Sequence, residues 1–321
     1  MVFGVVTGLV LAVGAGFALA GGNGNEPEFL DPLSNRIAPH EDHATVGEHT
    51  HLDESELTAS LSIVVVPSEI VVGPNRFAVG LFDAEGTLIH DAQVHFHYYD
   101  LRDPERATYE SGADARRVQD PDGFTTIFAH DRTFELPGLW GVEVEAVMAD
   151  GGGARSRVGF DVLADSPGVA PGDRVLPTAT PTLEDVGGDP GLLTTAVDPD
   201  LALHQVSLAD ALESSLPTML LLATPAFCET RFCGPAYGIV SRVRPGYDGR
   251  VNFVYAEVYA DLPDPSASGW PPSDAARDVG IQTEPWLYFI EPDGTVAFRL
   301  ESFFSIDEVN AYVERYLGPW L

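Results

Sequence analysis

The sequence predicts a multidomain chain: an apolar N-terminal segment, then an all-β sandwich, then an α/β domain. Three observations predict it. The first 22 residues carry no charged side chain. Between Leu57 and Leu163, short runs alternate apolar and polar residues between turn signals, the period of half-buried strands. From Leu201 onward, apolar strands alternate with helical patterns, as in an α/β layer arrangement. A chain of 321 residues is long enough for about two domains, each with its own core.

Residues 1–22 are apolar over about the length of a membrane span, which predicts a signal peptide or a membrane anchor. Ala18-Leu19-Ala20 resembles a small-residue cleavage site, although the basic start of an export signal is missing. Either reading puts the rest of the chain outside the cytoplasm, held at the cell membrane or secreted, in an oxidising compartment. Residues 23–56 are rich in Gly, Pro, Asp and Glu and predict a flexible tether. It carries His40, His43, His49 and His51 among Glu41, Asp42, Glu48 and Asp53. Imidazole and carboxylate at this density suit Cu(II), Zn or Ni, and equally suit a solvated polar linker.

Residues 57–164 form the expected sandwich, with strands at 60–66, 77–82, 92–99, 141–147 and 158–162. In the third of these, Val94, Phe96 and Tyr98 share one face and His95, His97 and Tyr99 the other. Two histidines two residues apart on one face could chelate a metal with His90 or His130, or simply line a polar outer face. Residues 165–200 read as an extended Pro/Gly-rich linker. Residues 201–321 then read as helix 208–215, strand 217–223, a helix ending near Arg244, strand 250–258, helix 272–279, strands 286–290 and 295–300, and helix 306–317. Ser207 and Ser305 are expected caps, the latter with Glu308 at the capping-box position.

The charge balance excludes one class of partner. Acidic residues number 49 against 17 basic ones, a net charge of −32, and such a surface repels nucleic-acid phosphates.

The stretch Thr224-Pro225-Ala226-Phe227-Cys228-Glu229-Thr230-Arg231-Phe232-Cys233-Gly234-Pro235 holds both cysteines of the chain, between a strand and a helix. That placement points to redox or metal use of the pair. Residues five apart on one regular helix have Cα atoms roughly 8–9 Å apart, whereas a disulfide needs about 4.4–6.8 Å. Cys228 is therefore expected in the loop and Cys233 near the helix start, with Pro235 in the first turn.

The order of elements over residues 203–318, with Cys233-Gly234-Pro235 and Thr283-Glu284-Pro285 ahead of a strand, resembles the thioredoxin-like superfamily. The spacing here is C-x4-C, a variant of the family's C-x-x-C. Phe227 stands where the family has Trp, and Leu220, Leu221 and Leu222 fill the region of its buried carboxylate. The resemblance implies a thiol–disulfide oxidoreductase in which Cys228 and Cys233 are catalytic. It also implies that Phe227, Thr283, Glu284 and a cis Pro285 hold the substrate chain. The Gly138–Val144 stretch in turn resembles the late strand of immunoglobulin-like domains, which implies a sandwich of that type.

The expected partners are protein thiols or disulfides in the extracytoplasmic space, plus the membrane itself through the N-terminal segment. No resident cofactor is expected for that chemistry. Two alternatives stand beside it. Sco-like copper chaperones share the fold and use two close cysteines with a distant histidine, but no histidine follows His204. Copper would then need Glu284 or a histidine from the tether or sandwich. The other alternative is an envelope interaction protein with a structural disulfide. Glu284 would raise a nearby thiol's pKa and Arg231 would lower it, so the net effect on the pair stays open.

Overall fold

A computed structural model of the chain describes Leu52 and residues 55–321, apart from residues 121, 122, 229 and 231. The expected signal or anchor segment lies outside the described residues, as do His40, His43, His49, His51 and Arg231. Among the described residues, no helix is long and apolar enough to cross a membrane.

The described residues are mostly β, with three four-stranded sheets and few helices. The first sheet runs β1 (Ser62–Val65), β2 (Gly73–Phe82), β6 (Thr126–Phe134) and β5 (Arg116–Gln119), all antiparallel. The second runs β4 (Thr108–Asp114), β3 (Ala92–Asp100), β7 (Gly138–Met148) and β8 (Gly153–Val162), also antiparallel. Their facing sides form one core, with Phe77, Val79 and Leu81 from β2, Phe128 and Phe134 from β6, Phe96 and Tyr98 from β3, and Val142 and Val144 from β7. Side chains on a strand alternate between faces, so one face of each sheet supplies the sandwich interior. Strands β4, β5 and β6 were not expected from the sequence. Thr108–Asp114 reads TYESGAD and Thr126–Phe134 reads TIFAHDRTF, where acidic, Gly and His positions interrupt the apolar alternation.

The third sheet has the order β10 (Asn252–Glu257), β9 (Thr218–Ala223), β11 (Trp286–Ile290), β12 (Val296–Glu301). Strands β9 and β10 are parallel, and β11 and β12 run against β9 and each other. On one face Met219, Leu221 and Ala223 pack with α2 (Cys233–Val243) and α4 (Ile306–Tyr312). On the other, Leu220 and Leu222 pack with α1 (Leu208–Glu213) and α3 (Asp274–Val279). A strand covered on both sides reads as an unbroken apolar run, which is why β9 reads TMLLLA.

Two expectations change. Ser305 does cap α4, accepting from Glu308 N, but the Glu308 carboxylate does not fold back on the helix start. It accepts from Arg76 Nη1 at 3.0 Å and Arg116 Nη2 at 2.7 Å, because a buried carboxylate is held better by two guanidiniums than by one amide. Residues 165–200 have little regular structure but do not hang free. Val175, Thr178, Thr180 and Leu193 are buried, Val169 N donates to Val279 O, and Leu208 N donates to Thr180 Oγ1. Isolated valines, backbone amides and a threonine hydroxyl make this docking, so no apolar period announces it.

The outer face of the first sheet carries an apolar patch as well. Ala78, Val118, Ile127 and Ala129 enclose Phe303, with Phe232 packed against them. Phe232, next to Cys233, therefore rests on the sandwich.

Candidate functional site

Strand β9 ends at Ala223, and the chain turns through Thr224–Cys228 before α2 starts at Cys233. Cys228 is half-buried and Cys233 is fully buried; both are free thiols. Pro235 is the third residue of α2, where its missing N–H costs no intrahelical bond. Cys233 N donates to Cys228 Sγ at 3.2 Å, so an amide at the helix start points at the outer sulfur. Thr230 Oγ1 lies 3.3 Å from the same sulfur and 3.0 Å from Glu284 O. Its single hydrogen serves one of these at a time, so turning it toward sulfur favours the thiolate.

The two sulfurs are driven apart in acidity. The hydrogen bond from the Cys233 thiol, opposed by burial and helped by Thr230 and the two backbone amides, brings Cys228 down to about 5. The same thiol bond to Cys228 and then burial push Cys233 well above the ordinary thiol range, with the Cys228 and Glu284 charges adding to the rise. On the question the sequence left open, the Glu284 charge adds to the rise of the inner sulfur. One ligand atom each from Cys228, Cys233 and the buried Glu284 falls within 4.8 Å of the others.

The expected substrate-binding residues divide. The Glu284–Pro285 peptide is cis, and the Glu284 carbonyl meets Thr230 as described. Thr283 is engaged internally: its hydroxyl donates to Glu301 Oε1 at 2.6 Å and accepts from Trp286 Nε1 at 3.1 Å. Phe227 packs edge-on to Trp270 at 5.2 Å between ring centres, and Trp270 packs likewise on Tyr259. Trp270 is 44% exposed, so an aromatic ledge lies beside the cysteine turn. The sequence reading missed Trp270 and Tyr259, since both sit in an irregular Pro-rich stretch with no motif.

It also missed Glu257. This buried residue at the end of β10 accepts from Thr195 N at 2.6 Å and Thr195 Oγ1 at 2.7 Å. Burial pushes its carboxyl above the usual range, against the pull of those bonds.

Among the described residues, the histidines do not join this site. His204 is buried against Tyr237, its Nε2 3.3 Å from the hydroxyl, and burial lowers it to about 4, so the ring stays neutral. His95 and His97 do share the outer face of the second sheet, but neither His90 nor His130 completes a ligand set with them. His90 Nδ1 meets Thr126 Oγ1 at 2.9 Å, and His130 Nδ1 meets the Tyr98 hydroxyl, on the opposite face of β3, at 3.3 Å. What flanks His97 instead is carboxylate, from Glu143 and Glu145.

No family model matches the chain, and no curated protein matches it. Several solved structures resemble part of it. A DUF4426 family protein from Pseudomonas aeruginosa PAO1 does so at 11% identity over 29% of this chain and 77% of that one, with a TM-score of 0.23. CopC from Methylosinus trichosporium OB3b is 10% identical over 33% of this chain and 97% of its own, with a TM-score of 0.23. The soluble domain of PmoD from Methylocystis sp. ATCC 49242 (Rockwell) is 16% identical over 32% of this chain and 90% of its own, with a TM-score of 0.22. Likenesses at this level carry no argument about this chain's chemistry.

Proposed function

We propose that this chain is a thioredoxin-like thiol–disulfide oxidoreductase with an immunoglobulin-like sandwich, held at or beyond the cell membrane, and that it acts on protein disulfides. The observation that carries the reading is the asymmetry of the two sulfurs. One is half-buried with its acidity raised to about 5, and the other is sealed with its acidity lowered. An outer thiolate is a nucleophile at neutral pH, and an inner thiol is a reserve that reacts only with what is already attached to the outer one.

In the reducing direction, the Cys228 thiolate attacks one sulfur of a partner disulfide. A Cys228–partner bond forms, the partner's S–S bond breaks, and its other sulfur leaves as thiolate. Cys233 then loses its proton and attacks Cys228 Sγ. The Cys228–Cys233 bond forms, and the second partner sulfur leaves. Two electrons pass to the partner, which takes up two protons. The reverse sequence oxidises a dithiol. The Cys233 amide and the Thr230 hydroxyl stabilise the outer sulfur when it carries charge. Phe227, Trp270 and the Glu284–Pro285 backbone border the approach of an extended partner chain. Turnover of a protein disulfide with a thiol reductant tests this. Cys228→Ser should abolish it, and Cys233→Ser should stop at a trapped mixed disulfide. Unchanged turnover in both variants would refute the reading.

A second reading is favoured by one observation, the Cys228, Cys233 and Glu284 donor set. Two thiolates suit Cu(I), which would make the chain a copper carrier. Titrating the reduced protein with Cu(I) and following thiolate-to-copper absorption separates the two: a stable complex lost in Cys228→Ser favours the carrier.

A further inference from the structure

We propose that the outer face of the second sheet is a binding site for a borderline divalent metal ion, with His97, Glu143 and Glu145 as ligands. Strand register assembles it. Glu143 on β7 lies opposite His97 on β3 and opposite Arg157 on β8; Glu145 lies opposite His95 and Arg155. One donor atom from each of His97, Glu143 and Glu145 falls within 4.8 Å of the others. All three residues are buried, at 2%, 0% and 2% exposure. Ionisable groups enclosed to this degree are costly unless charge holds them.

Arginines hold Oε2 of Glu143 and Oε1 of Glu145. Arg157 Nε donates to Glu143 Oε2 at 2.5 Å, and Arg155 Nε donates to Glu145 Oε1 at 2.9 Å. Glu143 Oε1 is buried with no hydrogen-bond partner, and Arg155 Nε stands off from it at 3.8 Å. Glu145 Oε2 faces His97 Nε2 at 3.4 Å and Leu52 N at 3.4 Å. That separation is long for an N–H···O bond. It matches two ligands on one tetrahedral ion, since metal–ligand bonds of about 2.0–2.2 Å place neighbouring donors about 3.3–3.6 Å apart. Each carboxylate thus has one oxygen fixed by an arginine, and Glu145 Oε2 faces the imidazole. Ligating carboxylates are commonly held in this way by a hydrogen bond to the second oxygen.

Room for the rings comes from Gly112, opposite His97 on β4. A Cβ there would come within 2.7 Å of His95 Nε2 and 3.5 Å of His97 Nδ1. His95 is not one of the three ligands; its Nδ1 meets Asp114 Oδ1 at 2.7 Å, and its ring packs on His97 at 4.6 Å between centres. The two carboxylates and two guanidiniums already balance, so the ion adds its own charge to a neutral frame within a chain of net charge −32. One imidazole and two carboxylates suit zinc, cobalt or nickel, with a fourth position left for water.

This site is independent of the cysteines, and the test isolates it. The full chain carrying Cys228→Ser, Cys233→Ser and His40, His43, His49 and His51→Asn removes both thiols and the four imidazoles of residues 23–56. Calorimetric titration with zinc should then give one ion per chain, and zinc should raise the thermal midpoint. Adding Glu143→Gln, which keeps shape and removes the charge, should weaken zinc binding by about 10-fold or more and abolish the midpoint rise. Should Glu143→Gln fail to fold by circular dichroism, His97→Asn makes the same comparison. If the parent chain binds no zinc, or the substituted chain binds it equally well, the proposal is overturned.

Discussion

At the residue scale, everything turns on how one helix start treats two sulfurs differently. Alkylation of Cys228 in the reduced protein should rise with pH about a midpoint near 5 and level off above it, because the reactive species is the thiolate. In Cys233→Ala the midpoint should move upward, since the bond that most lowers Cys228 is gone; mass spectrometry of the alkylated peptide reads both. Stability has the same sign. The folded-state value of Cys228 is depressed, so its contribution is fully present above the unfolded thiol value and is lost as pH falls through about 5. The reduced wild type should thus gain stability over Cys228→Ser as pH rises between those limits, as urea unfolding would show. The placement of the cysteine pair was legible in the sequence, because two sulfurs that are to bridge at this spacing cannot both lie in one regular helix, and α2 starts at Cys233. The direction of each shift was not, since it depends on which sulfur Glu284 and the Cys233 amide face.

At the scale of elements, the strands that alternate cleanly and the helices that follow a serine cap could be read in advance. The docked segment 165–200 could not, because its anchors are isolated apolar side chains, backbone amides and threonine hydroxyls without a period. Gly168 tests that docking. A Cβ there would meet Val279 O and Gly280 O at 2.7 Å, and both are backbone atoms that cannot swing aside. Gly168→Ala should therefore destabilise by about 1–3 kcal/mol in chemical denaturation, whereas the same change in a loose linker would cost nothing. Strand β10 offers a second test. Burial raises the Glu257 carboxyl above its unfolded value, so the stability it contributes is fully present below the unfolded pKa and is lost as pH rises through the folded one. Thermal midpoints of wild type and Glu257→Gln should diverge with rising pH, the variant keeping the stability that wild type loses.

At the scale of the whole molecule, buried charge ties the sandwich to the C-terminal sheet. Arg76 on β2 donates to Phe303 O, Glu301 O and Glu308 Oε2, at 2.7, 2.8 and 3.0 Å, with only 3% of its side chain exposed. Arg76→Ala would leave Glu308 with one guanidinium fewer in a buried setting and should cost about 3–5 kcal/mol of unfolding free energy. The Arg76→Ala, Glu308→Gln pair should cost less than the sum of the two single changes. Nothing in the sequence announced this bond, since its partners lie 232 residues apart.

The enclosure of Cys233 has a consequence for assembly. These are the chain's only two sulfhydryls, and one of them is 0% exposed. Each copy therefore offers a single point of covalent attachment to the outside. Oxidative cross-linking of many copies can yield pairs, but it has no second handle from which to extend a polymer.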